Sequence, residues 1–131
     1  MAIWKQFNDN PVGRNVGDCA VRAVSVALGV DWETAYSMIA KNGFLMADMP
    51  SSNAVIMATL RQHGFNRAII PDRCPDCYTA NDFLDDHPKG LYVLGFGNHI
   101  ATGIDGVLYD SWNSLNEIPI YYFYKKEVNN H

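Results

Sequence analysis

The stretch Gly97-Asn98-His99-Ile100-Ala101-Thr102-Gly103-Ile104-Asp105-Gly106-Val107-Leu108-Tyr109-Asp110-Ser111-Trp112 holds two apolar runs separated by Asp105-Gly106. That dipeptide suits a two-residue type I′ turn, in which both central residues take positive φ. Counting outward from the turn, Ile104 faces Val107, Ala101 faces Asp110 and His99 faces Trp112. Side chains alternate along a strand, so His99, Asp110 and Trp112 share one face of the hairpin, with His99 and Asp110 as diagonal neighbours about 7–8 Å apart. An imidazole and a carboxylate can meet across that spacing. A slip of one residue in the turn would send them to opposite faces.

The rest of the chain sorts around this hairpin. Strands are expected at 90–96, 98–104, 107–112 and 118–124, with Gly97-Asn98, Asp105-Gly106 and Asn113-Ser114 as turn chemistry for an antiparallel meander. A short strand is expected at 67–70, and Thr79 with Asp82 three residues on opens a short helix to Asp86. The first half reads as helical. Asp18 is placed as an N-cap, its side chain accepting from a backbone NH one turn in, before a helix from Cys19 to Leu28 that stops at Gly29. Asp31 caps a second helix over 32–40 with Asn42-Gly43 as its stop, and Ser51-Ser52 caps a third that ends at His63-Gly64. Trp32, Ala35, Tyr36 and Ile39 fall on one face at helical spacing, a core stripe. Helices followed by strands predict an α+β fold, N-terminal helices packed on a C-terminal antiparallel β-sheet. Residues 1–131 read as a single domain, with 1–17 an irregular entry loop and 125–131 a frayed tail.

Composition narrows the function classes. In 131 residues, 48% are hydrophobic and 18% charged, enough for one core, and the net charge is −4. The ten Lys and Arg are scattered, which argues against nucleic acid or an anionic membrane as partner. The start lacks the pattern of a secretory signal and no stretch approaches a membrane span, so a cytoplasmic setting, or a host's cytoplasm, is expected. Three cysteines make no disulfide framework, in keeping with a reducing compartment.

Cys19 carries the chemistry. At a helix start, the partial positive charge and unpaired NH groups favour thiolate over thiol, which makes a cysteine a nucleophile. A carboxylate on one nitrogen of His99 would fix its tautomer and leave the other nitrogen to take the thiol proton, so Cys19, His99 and Asp110 form the expected triad. His63, His87 and His131 read as helix-end, turn and tail residues. Cys74-Pro75-Asp76-Cys77 spells a CxxC, half a zinc site or a redox pair, but no second ligand pair accompanies it, so no metal is expected and the pair reads as a plain loop. Tyr121-Tyr122-Phe123-Tyr124 reads as a half-buried strand rather than a stacking platform, for want of a basic groove.

At these residues the chain resembles the papain-like cysteine peptidase superfamily, in the short form of C39-like phage and bacterial members. A cysteine opens the first long helix, Gly97-Asn98-His99-Ile100-Ala101 is similar to the family's Asn-His-small segment, and Asp110-Ser111-Trp112-Asn113 to its Asn-Ser-Trp-Gly, with Asp replacing Asn. The family's Cys-Gly-Ser-Cys-Trp form is absent, since Ala20 and Val21 follow Cys19. The resemblance covers roughly 10–124 and implies a papain-like fold, a peptide or protein substrate, no cofactor, and cleavage of a peptide or isopeptide bond through an acyl-enzyme. Trp112 would shield the cleft. The family's oxyanion glutamine, six residues before the cysteine, falls on Gly13, leaving Gln6 and then Asn10 as candidate donors. Two alternatives stay open: a catalytically incomplete papain-like module for binding or host interaction, and a zinc- or redox-CxxC domain. Substrate and oligomeric state are not fixed by the sequence.

Overall fold

Asp105 and Gly106 both have positive φ, 49° and 81°, as a type I′ turn requires. The turn closes a hairpin in which Ile104 pairs with Val107 and Thr102 with Tyr109, the register expected. A computed structural model describes residues 1–70 and 78–125. In chain order its elements are β1 (Ile3–Gln6), α1 (Cys19–Leu28), α2 (Trp32–Met46), α3 (Asn53–Gln62), β2 (Phe65–Ile69), α4 (Ala80–Asp86), β3 (Leu91–Gly95), β4 (Ile100–Ile104), β5 (Val107–Asp110) and β6 (Tyr121–Lys125). The described residues thus form an α+β structure of four helices and one six-stranded sheet, ordered β1-β5-β4-β3-β6-β2.

The sheet is mixed rather than antiparallel. Residues 3–6, expected within an irregular entry loop, form the edge strand β1 and run parallel to β5, from Ile3 opposite Val107 to Gln6 opposite Asp110. Four residues hold too little pattern to announce a strand, and the partner lies a hundred positions away. Trp4 fastens this edge by donating its indole NH to the Asp110 carbonyl at 3.1 Å. The other pairs are antiparallel.

Two apolar layers sandwich the sheet. On one face, Val21, Val24, Ala35, Ile39, Val55 and Leu60 of α1–α3 pack on Val93, Ile100 and Phe123. On the other, Phe83 and Leu84 of α4 pack on Leu94, Ala101 and Leu108. Asp31, Ser52 and Thr79 each accept a backbone NH at their helix starts, and Thr79 with Asp82 completes a capping box. Helix α1 ends at Gly29 in the left-handed region. Helix α2, however, runs through the expected stop at Asn42-Gly43 to Met46. Gly43 is in the helix interior because a Cβ there would lie 2.9 Å from the Asp48 carbonyl oxygen and 3.1 Å from the Pro50 nitrogen; the glycine permits a close return of the chain instead of ending the helix. Ala35 and Ile39 of the expected stripe are buried, whereas Tyr36 is exposed and stacks on Trp32. Among the described residues, no helix is long and apolar enough to cross a membrane. Lys125, expected in the tail, closes β6, and 126–131 lie outside the described residues.

A second glycine shapes the site. Gly95 pairs with Tyr121, whose ring lies so close over it that a Cβ would fall 2.1 Å from the ring's Cζ. Gly95→Ala should therefore displace the Tyr121 ring and cost about 1–3 kcal/mol, the usual range for overpacking. Urea denaturation measures this, with Gly97→Ala as the comparison, since nothing lies within 4 Å of a Cβ there; equal stability of the two variants would refute the account.

Candidate active site

Helix α1 lies against β4, fastened by the Thr102 hydroxyl, which donates to the Ala23 carbonyl at 2.8 Å. That contact brings the start of α1 to the end of the hairpin remote from its turn. Cys19 there is half-buried and close enough to the His99 ring and the Ile100 backbone NH for both to lower its pKa. The other side of the ring is held by Asp110, with His99 Nε2 2.6 Å from Asp110 Oδ2. Nδ1 is therefore the nitrogen left for the sulfur. Cys19 and His99 line one cleft of about 170 Å³, and the buried Asp110 holds the ring from behind it.

Asp110 is fully buried, and its two oxygens are occupied from four directions. Oδ2 faces His99 and accepts the Ser114 hydroxyl at 2.5 Å, while Oδ1 accepts the Ser111 NH at 2.7 Å and Arg22 Nη2 at 3.2 Å. Burial alone would raise this carboxyl's pKa; the bonds from His99, Ser114 and Ser111, with the His99 charge, hold it below the usual range. Burial likewise opposes a charge on His99, but its bonds to Asp110 and Cys19 and the charges of both push it up to about 9. At Cys19, burial raises the thiol and is outweighed by the His99 bond and charge, the Ile100 NH and the Arg22 charge, so the pKa is lowered. The three shifts favour one state, thiolate, imidazolium and carboxylate in a row.

Arg22 and Ser114 complete the site beyond the three expected residues. Arg22 sits one turn along the same helix as the cysteine and bridges two acids, Asp18 at 2.7 Å and Asp110 at 3.2 Å, with all three side chains almost wholly buried. An apolar-faced helix carrying one arginine is the sequence signal that could have found it. Asp18, in turn, does not cap the helix: its Oδ1 receives Arg22, its Oδ2 the Trp32 indole NH at 2.9 Å, and no side chain caps α1. The expected cap is thus corrected, because a buried guanidinium is a stronger partner than a backbone NH.

Neither expected oxyanion donor lines the cleft. Gln6 ends the edge strand β1, exposed, and Asn10 folds its own turn, its side-chain oxygen accepting from the backbone NH groups of Val12 at 3.0 Å and Arg14 at 3.2 Å. The carboxamides in the cleft are Asn53, at the start of α3, and Asn98, beside the histidine. Trp112 packs on His99, ring centroids 4.9 Å apart, and is 44% exposed. His63 and His87 bond through Nδ1 to carbonyls of their own helices, Thr59 and Phe83. Cys74, Cys77 and His131 lie outside the described residues, and among those described no cluster of ligands could hold a metal.

Removing Arg22 would leave two buried carboxylates facing each other. Arg22→Met should cost about 3–5 kcal/mol, the range for breaking a buried pair from one side, measured by urea unfolding; a loss under 1 kcal/mol would show the network to be incidental. No known protein family, no curated protein and no solved structure matches this chain.

Proposed function

We propose that the chain is a papain-like cysteine hydrolase that cleaves an amide bond, peptide or isopeptide, through an acyl-enzyme. The observation that supports this most is that Cys19 and His99 share one cleft while His99 is held from behind by the buried Asp110. A cysteine, an imidazole and a buried acid in series are what nucleophilic acyl transfer needs. The Cys19 thiolate attacks the carbonyl carbon, forming a C–S bond as the carbonyl electron pair moves onto oxygen. When the tetrahedral adduct collapses, the C–N bond breaks and His99 Nδ1–H protonates the departing amine. Neutral His99 then takes a proton from water, whose oxygen attacks the thioester carbon, and the thiolate leaves with the acid product. Asp110 holds the ring in place and balances the imidazolium throughout.

The developing oxyanion calls for donors at the sulfur. With no side chain capping α1, the backbone NH groups of its first turn, beginning with Cys19, can serve, and Asn53 and Asn98 are the nearby carboxamides. The absence of Gln6 and Asn10 from the cleft is the observation that favours the alternative, a non-catalytic binding module. Activity-based probes separate the two. On the hydrolase reading, a peptidyl vinyl sulfone labels the protein and labelling disappears in Cys19→Ala and falls at least about a hundredfold in His99→Ala. Labelling that survives in Cys19→Ala would refute the assignment. A thiolate nucleophile also suits a reducing compartment, the cytoplasm of the cell or of a host.

The shifted groups fix the pH dependence. Cys19 is an acid with a lowered pKa, so iodoacetamide should label it ahead of Cys74 and Cys77, with the rate falling as pH drops through the lowered value. Turnover needs His99 protonated, so it should fall as pH rises through about 9. The same sign governs stability: the contribution of His99 is complete below its ordinary pKa and is lost as pH climbs through about 9. In Asp110→Asn the alkaline limb of the kcat/KM profile should move toward the ordinary histidine value of about 6.5. An unmoved limb would show that the carboxylate does not hold the imidazolium.

A further inference from the structure

The Cys19 cleft does not end at its own wall. On the other side of the Tyr121 ring, between α3 and the β6–β2 edge, lies a second hollow of about 280 Å³, and the two share Asn53, Ile56 and Tyr121 as lining. Its floor is apolar, Ile56, Met57 and Phe123, and its one charged residue is Arg67. The guanidinium carbon of Arg67 stands over the Tyr121 ring, 4.6 Å from the centroid. Gly95 lets the ring lie against β3, so one aromatic ring touches the β3 backbone and carries the guanidinium. Among the described residues, no carboxylate lies within ion-pair distance of Arg67. The chain carries net negative charge, yet the one charged side chain lining this hollow next to the Cys19 cleft is a cation.

Resting on the hydrolase reading, we propose that this second hollow is a specificity subsite, in which Arg67, oriented by Tyr121, binds an acidic side chain of the substrate next to the scissile amide. The planar fork of a guanidinium stacked on a ring keeps its NH edge turned outward, the geometry for a bidentate bond to a carboxylate. Ile56 and Met57 would receive the methylenes of the same side chain. Burial raises the pKa of the Tyr121 hydroxyl, Arg67 opposes the rise and Cys19 adds to it; the same phenol thus feels the guanidinium and the nucleophile together. Arg67 touches no reacting atom here and acts only on which substrate is held.

The test is the rate of Cys19 modification by matched reagents, so that no natural substrate is needed. One series is N-iodoacetyl-glutamate, -glutamine and -lysine amides; the other is peptidyl vinyl sulfones with the same three residues beside the warhead, so that both directions from the sulfur are sampled. In wild type, the glutamate reagent of at least one series should react about tenfold faster than its glutamine counterpart, the scale of one charge-assisted bond in a partly exposed site. With each rate taken relative to plain iodoacetamide on the same variant, Arg67→Glu should reverse the order in favour of lysine, a gain that an unfolded variant could not show. Lys125→Glu, on β6 but outside this hollow, should keep the wild-type order. Equal glutamate and glutamine rates in both series, an order unmoved by Arg67→Glu, or an equal effect of Lys125→Glu would each overturn the subsite. Failure of iodoacetamide to prefer Cys19 would instead strike the hydrolase reading itself.

Discussion

The carboxylate of Asp110 is the point on which both the fold and the site depend. It lies at zero exposure at the end of β5, yet it bonds Arg22 on α1, His99 before β4, and Ser111 and Ser114 after β5. An ionised carboxylate in that position is tolerable only because its acceptor sites are filled. Its own backbone carbonyl accepts from Trp4 and Phe7, which ties in the N-terminal strand. A group needed to orient an imidazole is therefore also the knot between helix layer, hairpin and sheet edge. The arrangement gives the site rigidity, because any motion that loosens the His99 bond must also disturb a buried ion pair.

The same network explains the order of the pKa shifts. Burial disfavours charge at Cys19, His99 and Asp110 alike, and taken singly each would be driven neutral. Together they alternate in sign, so each charge lies beside its opposite. Arg22 adds a positive charge that lowers the Cys19 thiol pKa and bonds the Asp110 carboxylate at once. The lowered thiol pKa of the half-buried Cys19 is thus sustained by a ring, the Ile100 backbone NH and a guanidinium acting together.

What could be read from the chain and what could not divides along sequence distance. Asp105-Gly106 carries its turn type in two residues, and with it came the register that places His99 beside Asp110. Asp31, Ser52 and the Thr79–Asp82 box announced their helices because capping is local chemistry. β1 is not legible in the sequence because its strand character comes from β5, a hundred residues on. Gly43 reads as a stop because a glycine that admits a neighbouring backbone looks, in sequence, like one that ends a helix. Gln6 and Asn10 are amides upstream of the cysteine, whereas the cleft takes its amides from α3 and from the hairpin, whose approach depends on tertiary packing. The roles of Arg22 and Ser114 depend on the same packing.

Asp18 shows how a local rule yields to the site. At a helix start, an aspartate that caps the first turn contributes about 1 kcal/mol, and Asp18 forgoes this to bond Arg22 and Trp32. The loss is small against a buried charge-assisted pair, so the side chain turns inward. What remains is a helix whose first NH groups, at and after Cys19, have no side-chain acceptor. On the proposed hydrolase reading, a cap would have occupied the donors that an anionic sulfur or a developing oxyanion requires. Local inconsistency of this kind is expected at functional sites, and the unfilled cap and the shifted thiol belong to the same residue pair, Asp18 and Cys19.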